Sequence, residues 1–577
     1  MGANLELLWM LGEPLLLTGL PAAAAALLAA RMGLRSVPLL LAIALAASGT
    51  TAILSFWLYY AEPSLGQTGS FFFAFGSALL VVWCLREGVD RGLLRALALP
   101  FGLWALASAF VLFLGFVHGG MAEPLHTAAN RFSHELPGDN DIPRHFADYF
   151  YLYGHRGTPP PYADWLSSDR PPLQIGYVLA QRPFGWDTPG LHYQVLTVVV
   201  QQLWVLGLWA LLVAARLTPR TRGLVAFAAI VSDIAIVHGF FTWPKLIAAA
   251  FLFAALAMVL SEDWQRLRRA PWAGALFAAL CGLAMLAHGS SAFFVLPLLV
   301  VAAARGVPSW RWLGTGAAVG IVLLGSWGAY QRYADPPGDR LVKWQLGGSL
   351  EIDDRGAVET VIDGYREEGL GGTLDNKWGN ATALVSQGGT EKIAREAADF
   401  IAEGDPGKAI LSVRVLRFFA LLPFLGLLLL GPLAMLVARL RGRPEGPDWR
   451  FAVVALGFSA LAALTWVLLM FGGPNATTVI HQGSLAVPLL AVCACVAGAC
   501  AANRRFGLGL VVANVALVLL LYVPALGPAA GSSYSLSAAL LAAAALIGIT
   551  FLTLRTGRPE AAGGANTLRA RHGETRP

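Results

Sequence analysis

"ALFAALCGLAMLAHGSSAFFVLPLLVV", Ala275 to Val301, can be read in two ways, and the architecture follows from the choice. Uninterrupted, it is one long membrane span; broken at "HGSS" (His288 to Ser291), it is two short ones. The flanking charges separate these readings. "RLRRA" (Arg266 to Ala270) precedes the stretch and "RGVPSWRW" (Arg305 to Trp312) follows it. Lys and Arg of short loops stay on the cytoplasmic side. Two basic loops on one side require an even number of crossings between them, so the run turns at His288.

Outward from there the same alternation holds along the whole chain. Basic residues cluster at Arg31 and Arg35, at Arg86 to Arg95, at Arg216 to Arg222, in "RLRGRPEGPDWR" (Arg439 to Arg450), at Arg504 and Arg505, and beyond Arg555, while the intervening loops have almost none. Apolar runs lie at 7–30, 37–60, 69–86, 95–118, 193–216, 222–241, 244–262, 271–287, 290–305, 312–331, 410–438, 451–472, 479–500, 506–525 and 535–555. The expectation is an all-α polytopic membrane protein of about fifteen transmembrane helices, with its N-terminus outside and its C-terminus inside. Composition agrees: of 577 residues 56% are hydrophobic and 13% charged, against about 25% charged in soluble domains, and the mean hydropathy is +0.62. No cleaved signal peptide is expected, because the first apolar run has no basic segment before it. The net charge of +6 belongs to topology and gives no reason to invoke nucleic acid. All five cysteines fall inside expected spans and read as small buried residues.

This topology puts two long loops outside, at 119–192 and 332–409. The chain divides into N-terminal accessory helices (1–94), a core with the first outer loop (95–331), a cap loop (332–409) carrying two short helices at 356–369 and 390–404, C-terminal helices (410–555) and a basic cytoplasmic tail (556–577). In the first loop, "PGDNDIPRHFADYF" (Pro137 to Phe150) gathers Asp139, Asp141, Arg144, His145 and Asp148, and "SSDRPPLQIGYVLAQRPFG" (Ser167 to Gly185) adds Asp169 and Arg170. A helix starting at Pro143 with Asp141 as its cap would bring Asp141, His145 and Asp148 roughly onto one face. A carboxylate at the mouth of a helix bundle suits a general base for a substrate delivered from lipid. Cations at outer helix ends, Lys245 in "FTWPKL", Arg170, His288 and His481, suit an anion; for Lys245, snorkelling to the surface is the competing reading. His126, His134, His145 and His155 have no regular ligand spacing, so no metal is required, although a divalent cation is possible.

The order "DNDIPRHFADYF", then "DRPPLQIGYVL", resembles the first outer loop of GT-C superfamily glycosyltransferases, in particular the lipid A aminoarabinose transferases and the protein mannosyltransferase-like group. "LAHGSSAFFVLPLLVVAA" (Leu286 to Ala303) and "TTVIHQGSLAVPLL" (Thr477 to Leu490) are similar to later segments of that family, and the resemblance spans about 95–490. It implies inverting transfer of a sugar from a polyprenyl-phosphate donor to an envelope glycan or lipid acceptor on the outer face of a bacterial plasma membrane. Asp141 matches the family's leading acid, with Asp139 as rival because Asn140 interrupts the usual adjacent acidic pair. Lys245, Arg170, His288 and His481 would then hold the donor phosphate. His145, Asp148, Asp169 and Gln482, with Trp344 in "DPPGDRLVKWQL" and Trp378 in "LDNKWGN", would meet sugar or acceptor. A transporter or flippase of lipid-linked saccharides is the alternative, and a non-catalytic envelope assembly protein a third.

Overall fold

The computed structural model describes residues 2–132, 136–185, 189–385, 420–472, 485–524 and 534–556, together with Ala398, Ala402, Ile410, Val413, Arg414 and Arg417. Among the described residues the regular elements are helical, apart from an isolated antiparallel bridge between Tyr162 and Trp165. Ten helices among the described residues are long and apolar enough to cross a membrane. An eleventh candidate is the pair Pro219–Ile230 and Asp233–Phe241, bent by 49°. Lys245–Leu260, Pro271–Ala287, Gly289–Ala304 and Ala486–Ala502 are shorter apolar helices. The chain is therefore a multi-pass membrane protein, all-helical among the described residues, with about ten candidate spans where the sequence leads one to expect fifteen; parts of the expected segments 410–438 and 479–500 lie outside the described residues.

The break at His288 has a local cause. Pro271–Ala287 ends there with the His288 backbone extended at φ −157°. The imidazole Nδ1 lies 2.8 Å from Ser290 Oγ and 3.2 Å from the Ser290 amide, while Ser291 Oγ donates to the Ala284 carbonyl at 2.9 Å. Polar side chains thus satisfy helix-end groups that apolar surroundings would leave unpaired.

Lipid offers little hydrophobic drive to press helices together, so close backbone approach matters more than in water. A Cβ on Gly176 would meet the Ala52 carbonyl oxygen at 2.1 Å, and one on Gly207 would meet that of Ala250 at 2.1 Å. Those contacts seat Val37–Ala61 against Leu173–Gln181, and Trp204–Ala214 against Lys245–Leu260, the latter buried along almost its whole length. Val37–Ala61 also packs on Trp204–Ala214, Lys245–Leu260 and Pro271–Ala287. It lies inside the bundle instead of in a separate accessory layer, because its small residues admit neighbours on several faces.

Of the two short helices expected in the second outer loop, the first lies within Ala357–Ala383, which carries a non-helical Gly369 at φ 61°. The second, 390–404, falls almost wholly outside the described residues.

Candidate functional site

Gly138–Asn140 forms one short turn, and Ile142–Tyr153 follows with proline in its first turn, as expected. Asp141 stands at the cap position, but its carboxylate makes no capping bond. It accepts two hydrogen bonds from Arg144, at 2.6 and 3.0 Å. This bidentate charge-assisted pair outcompetes an amide donor. Arg144 also reaches Asp148 at 3.2 Å, and Arg182 reaches the other Asp148 oxygen at 3.3 Å. Burial nevertheless pushes the Asp148 carboxyl above the usual range. His145 hydrogen-bonds elsewhere: its Nε2 lies 3.0 Å from the Pro160 carbonyl and its ring meets Tyr162 edge-on.

Arg170 pairs not with its neighbour Asp169 but with Asp139, at 3.0 Å. Its guanidinium lies over the Trp165 ring at 4.1 Å, and Arg340, from the second long loop, lies over the same ring at 4.4 Å. Asp169 is 2% exposed, accepts from the Leu166 amide at 3.0 Å and lies 4.0 Å from Arg340. Burial pushes it up to about 6.

Beneath this layer Lys245 opens its helix. It is 0% exposed, so it does not snorkel. Its ammonium sits 3.4 Å from the centre of the Trp243 ring and has no hydrogen-bond partner among the described residues. It is within electrostatic reach of Asp139 and Arg170. His238 and His288 flank the same tryptophan, at 6.4 and 6.3 Å between ring centres. The fold thus brings the partly exposed Asp139 and Arg170 together with the buried Lys245 and His288, with Asp141 and Asp148 beside them through Arg144. His481 and Gln482 lie outside the described residues.

A chain of buried polar groups fixes the acidic turn to the bundle. The Asn140 carbonyl accepts from the Tyr193 hydroxyl at 2.6 Å, and Asn140 Nδ2 donates to the Leu125 carbonyl at 3.0 Å. Gln174 donates to Tyr193 at 3.0 Å and to the Thr242 carbonyl at 3.1 Å. Gln201 bonds Gln174 at 3.4 Å and accepts from the Ile247 amide at 3.2 Å, in the first turn of the Lys245 helix. These residues went unread in the sequence, yet "QQ" at Gln201 and Gln202 inside an apolar run was the available signal, since an unsatisfied amide in lipid is costly.

Asp233 binds Arg417 through two bonds, at 2.6 and 3.0 Å, at the break of the bent pair. In the second loop, Lys343 is buried between Asp339 at 3.1 Å and Asp353 at 2.9 Å, next to the half-buried Trp344. Trp378 is 72% exposed. Its neighbours Lys377 and Asn380 bond the Met470 carbonyl at the end of Pro447–Leu469. Among the described residues no group of three His, Cys, Asp or Glu could hold a metal ion. No family model, curated protein or solved structure matches the chain.

Proposed function

We propose that the protein is an inverting membrane glycosyltransferase that moves a sugar from a polyprenyl-phosphate donor to a hydroxyl acceptor at the outer face. The observation that carries this reading is the buried Lys245 ammonium, without a hydrogen-bond partner among the described residues and within reach of the Asp139–Arg170 pair. A buried cation left without such a partner is costly unless an anion completes it.

Asp139 is the base. One of its oxygens is held by Arg170 and the other has no hydrogen-bond partner among the described residues, whereas Arg144 occupies both oxygens of Asp141. Asp139 takes the acceptor's hydroxyl proton as that oxygen attacks the anomeric carbon. The bond from that carbon to the phosphate oxygen breaks, and the electron pair leaves with polyprenyl phosphate. Lys245 and His288 stabilise the charge that develops there. Arg170 orients Asp139 in the resting state, and its charge becomes available to the phosphate once the carboxylate is protonated. Asp141 holds Arg144 and so positions the turn.

The test is complementation of a deletion strain, with the envelope glycans read by mass. Wild type restores the missing sugar. Asp139→Asn and Lys245→Gln lower transfer by about 100-fold or more, and Asp141→Asn by less. Full restoration by Asp139→Asn and Asp141→Asn alike would remove the enzyme reading; a silent Asp139→Asn beside a dead Asp141→Asn would exchange the two roles.

A further inference from the structure

Far from the acidic turn in sequence, Arg504–Tyr522 and Leu536–Arg555 both approach Pro219–Ile230, and a groove of about 960 Å³ opens there. Its walls are Leu224, Phe227, Leu508, Val512, Val515 and Leu519, and its mouth carries Arg220, Arg504 and Arg505. From Arg504 to Leu519 the helical wall is about 22 Å long at 1.5 Å per residue, more than half of the roughly 30 Å hydrocarbon thickness. Val512 and Leu508 are 58% and 48% exposed, so the groove faces the surroundings of the bundle. The nearby Asp448 carboxylate, which accepts from the Thr218 amide at 2.8 Å and the Thr221 hydroxyl at 2.7 Å, is outnumbered by Arg504 and Arg505, so the mouth is positive in balance.

We infer that this groove is a binding site for an anionic diacyl phospholipid of the leaflet expected to be cytoplasmic, with its headgroup on Arg504 and Arg505 and one acyl chain along Leu508 to Leu519. Charge complementarity names the occupant: interhelical basic pockets on that side attract anionic headgroups, and the apolar wall below takes a chain and not a soluble anion. The inference is independent of the outer-face chemistry.

The test is native mass spectrometry of the full chain, delipidated in detergent and then offered phosphatidylglycerol, phosphatidylcholine or undecaprenyl phosphate. Phosphatidylglycerol is expected to be retained over phosphatidylcholine by roughly tenfold. That preference should vanish in R504Q/R505Q and survive in R504K/R505K and in the control R441Q/R443Q. Val512→Trp, which fills the groove but keeps the arginines, should lower retention of phosphatidylglycerol as well. Equal retention of the two phospholipids, an unchanged preference in R504Q/R505Q, or capture of undecaprenyl phosphate alone would each overturn the assignment.

Discussion

Asp169 carries the clearest titration signature outside the spans. Burial raises it from 3.8 to about 6, so the folded chain holds this proton more tightly than the unfolded one. The associated stability is present in full below pH 3.8 and is lost as pH rises through about 6. Thermal unfolding of wild type should therefore show a downward step across that window that Asp169→Asn lacks; parallel curves would refute the assignment. At this scale the sequence was legible in identity and partly illegible in pairing. Asp139, Arg170, Lys245 and His288 could be singled out as polar groups at helix ends. That Arg170 turns to Asp139 and not to Asp169, and that Asp141 gives up its capping role to Arg144, depends on which guanidinium reaches which carboxylate, and spacing alone does not encode it.

The helices themselves were legible because membrane-length apolar runs and basic loops leave few alternatives. Their partners were not. Arg417 lay inside the apolar run at 410–438 with nothing in the sequence to link it to Asp233, a residue 184 positions away. Removing one member of a buried ion pair strands the other, at a cost of about 3–5 kcal/mol. Asp233→Asn should accordingly melt well below wild type in detergent, and D233N/R417M should recover most of the loss. If the double variant is no better than the single one, the pair is not what joins these elements. Asn380 shows the same limit: its side chain is buried and donates to the Val467 and Met470 carbonyls, contacts that nothing in the sequence indicates.

For the whole molecule, orientation is the property that gives the loops their meaning, and the expected orientation rests on arginine placement alone. In a cysteine-free background, Trp378→Cys should react with a membrane-impermeant maleimide in intact cells, and Glu445→Cys only after permeabilisation. The reverse pattern would invert the molecule and move the Asp139 group to the wrong side. Trp165 adds a consequence of another kind. Guanidinium groups from two different loops lie over its ring, Arg170 at 4.1 Å and Arg340 at 4.4 Å. The two loops therefore share one aromatic ring, so removing the Trp165 indole would release a guanidinium in each of them at once.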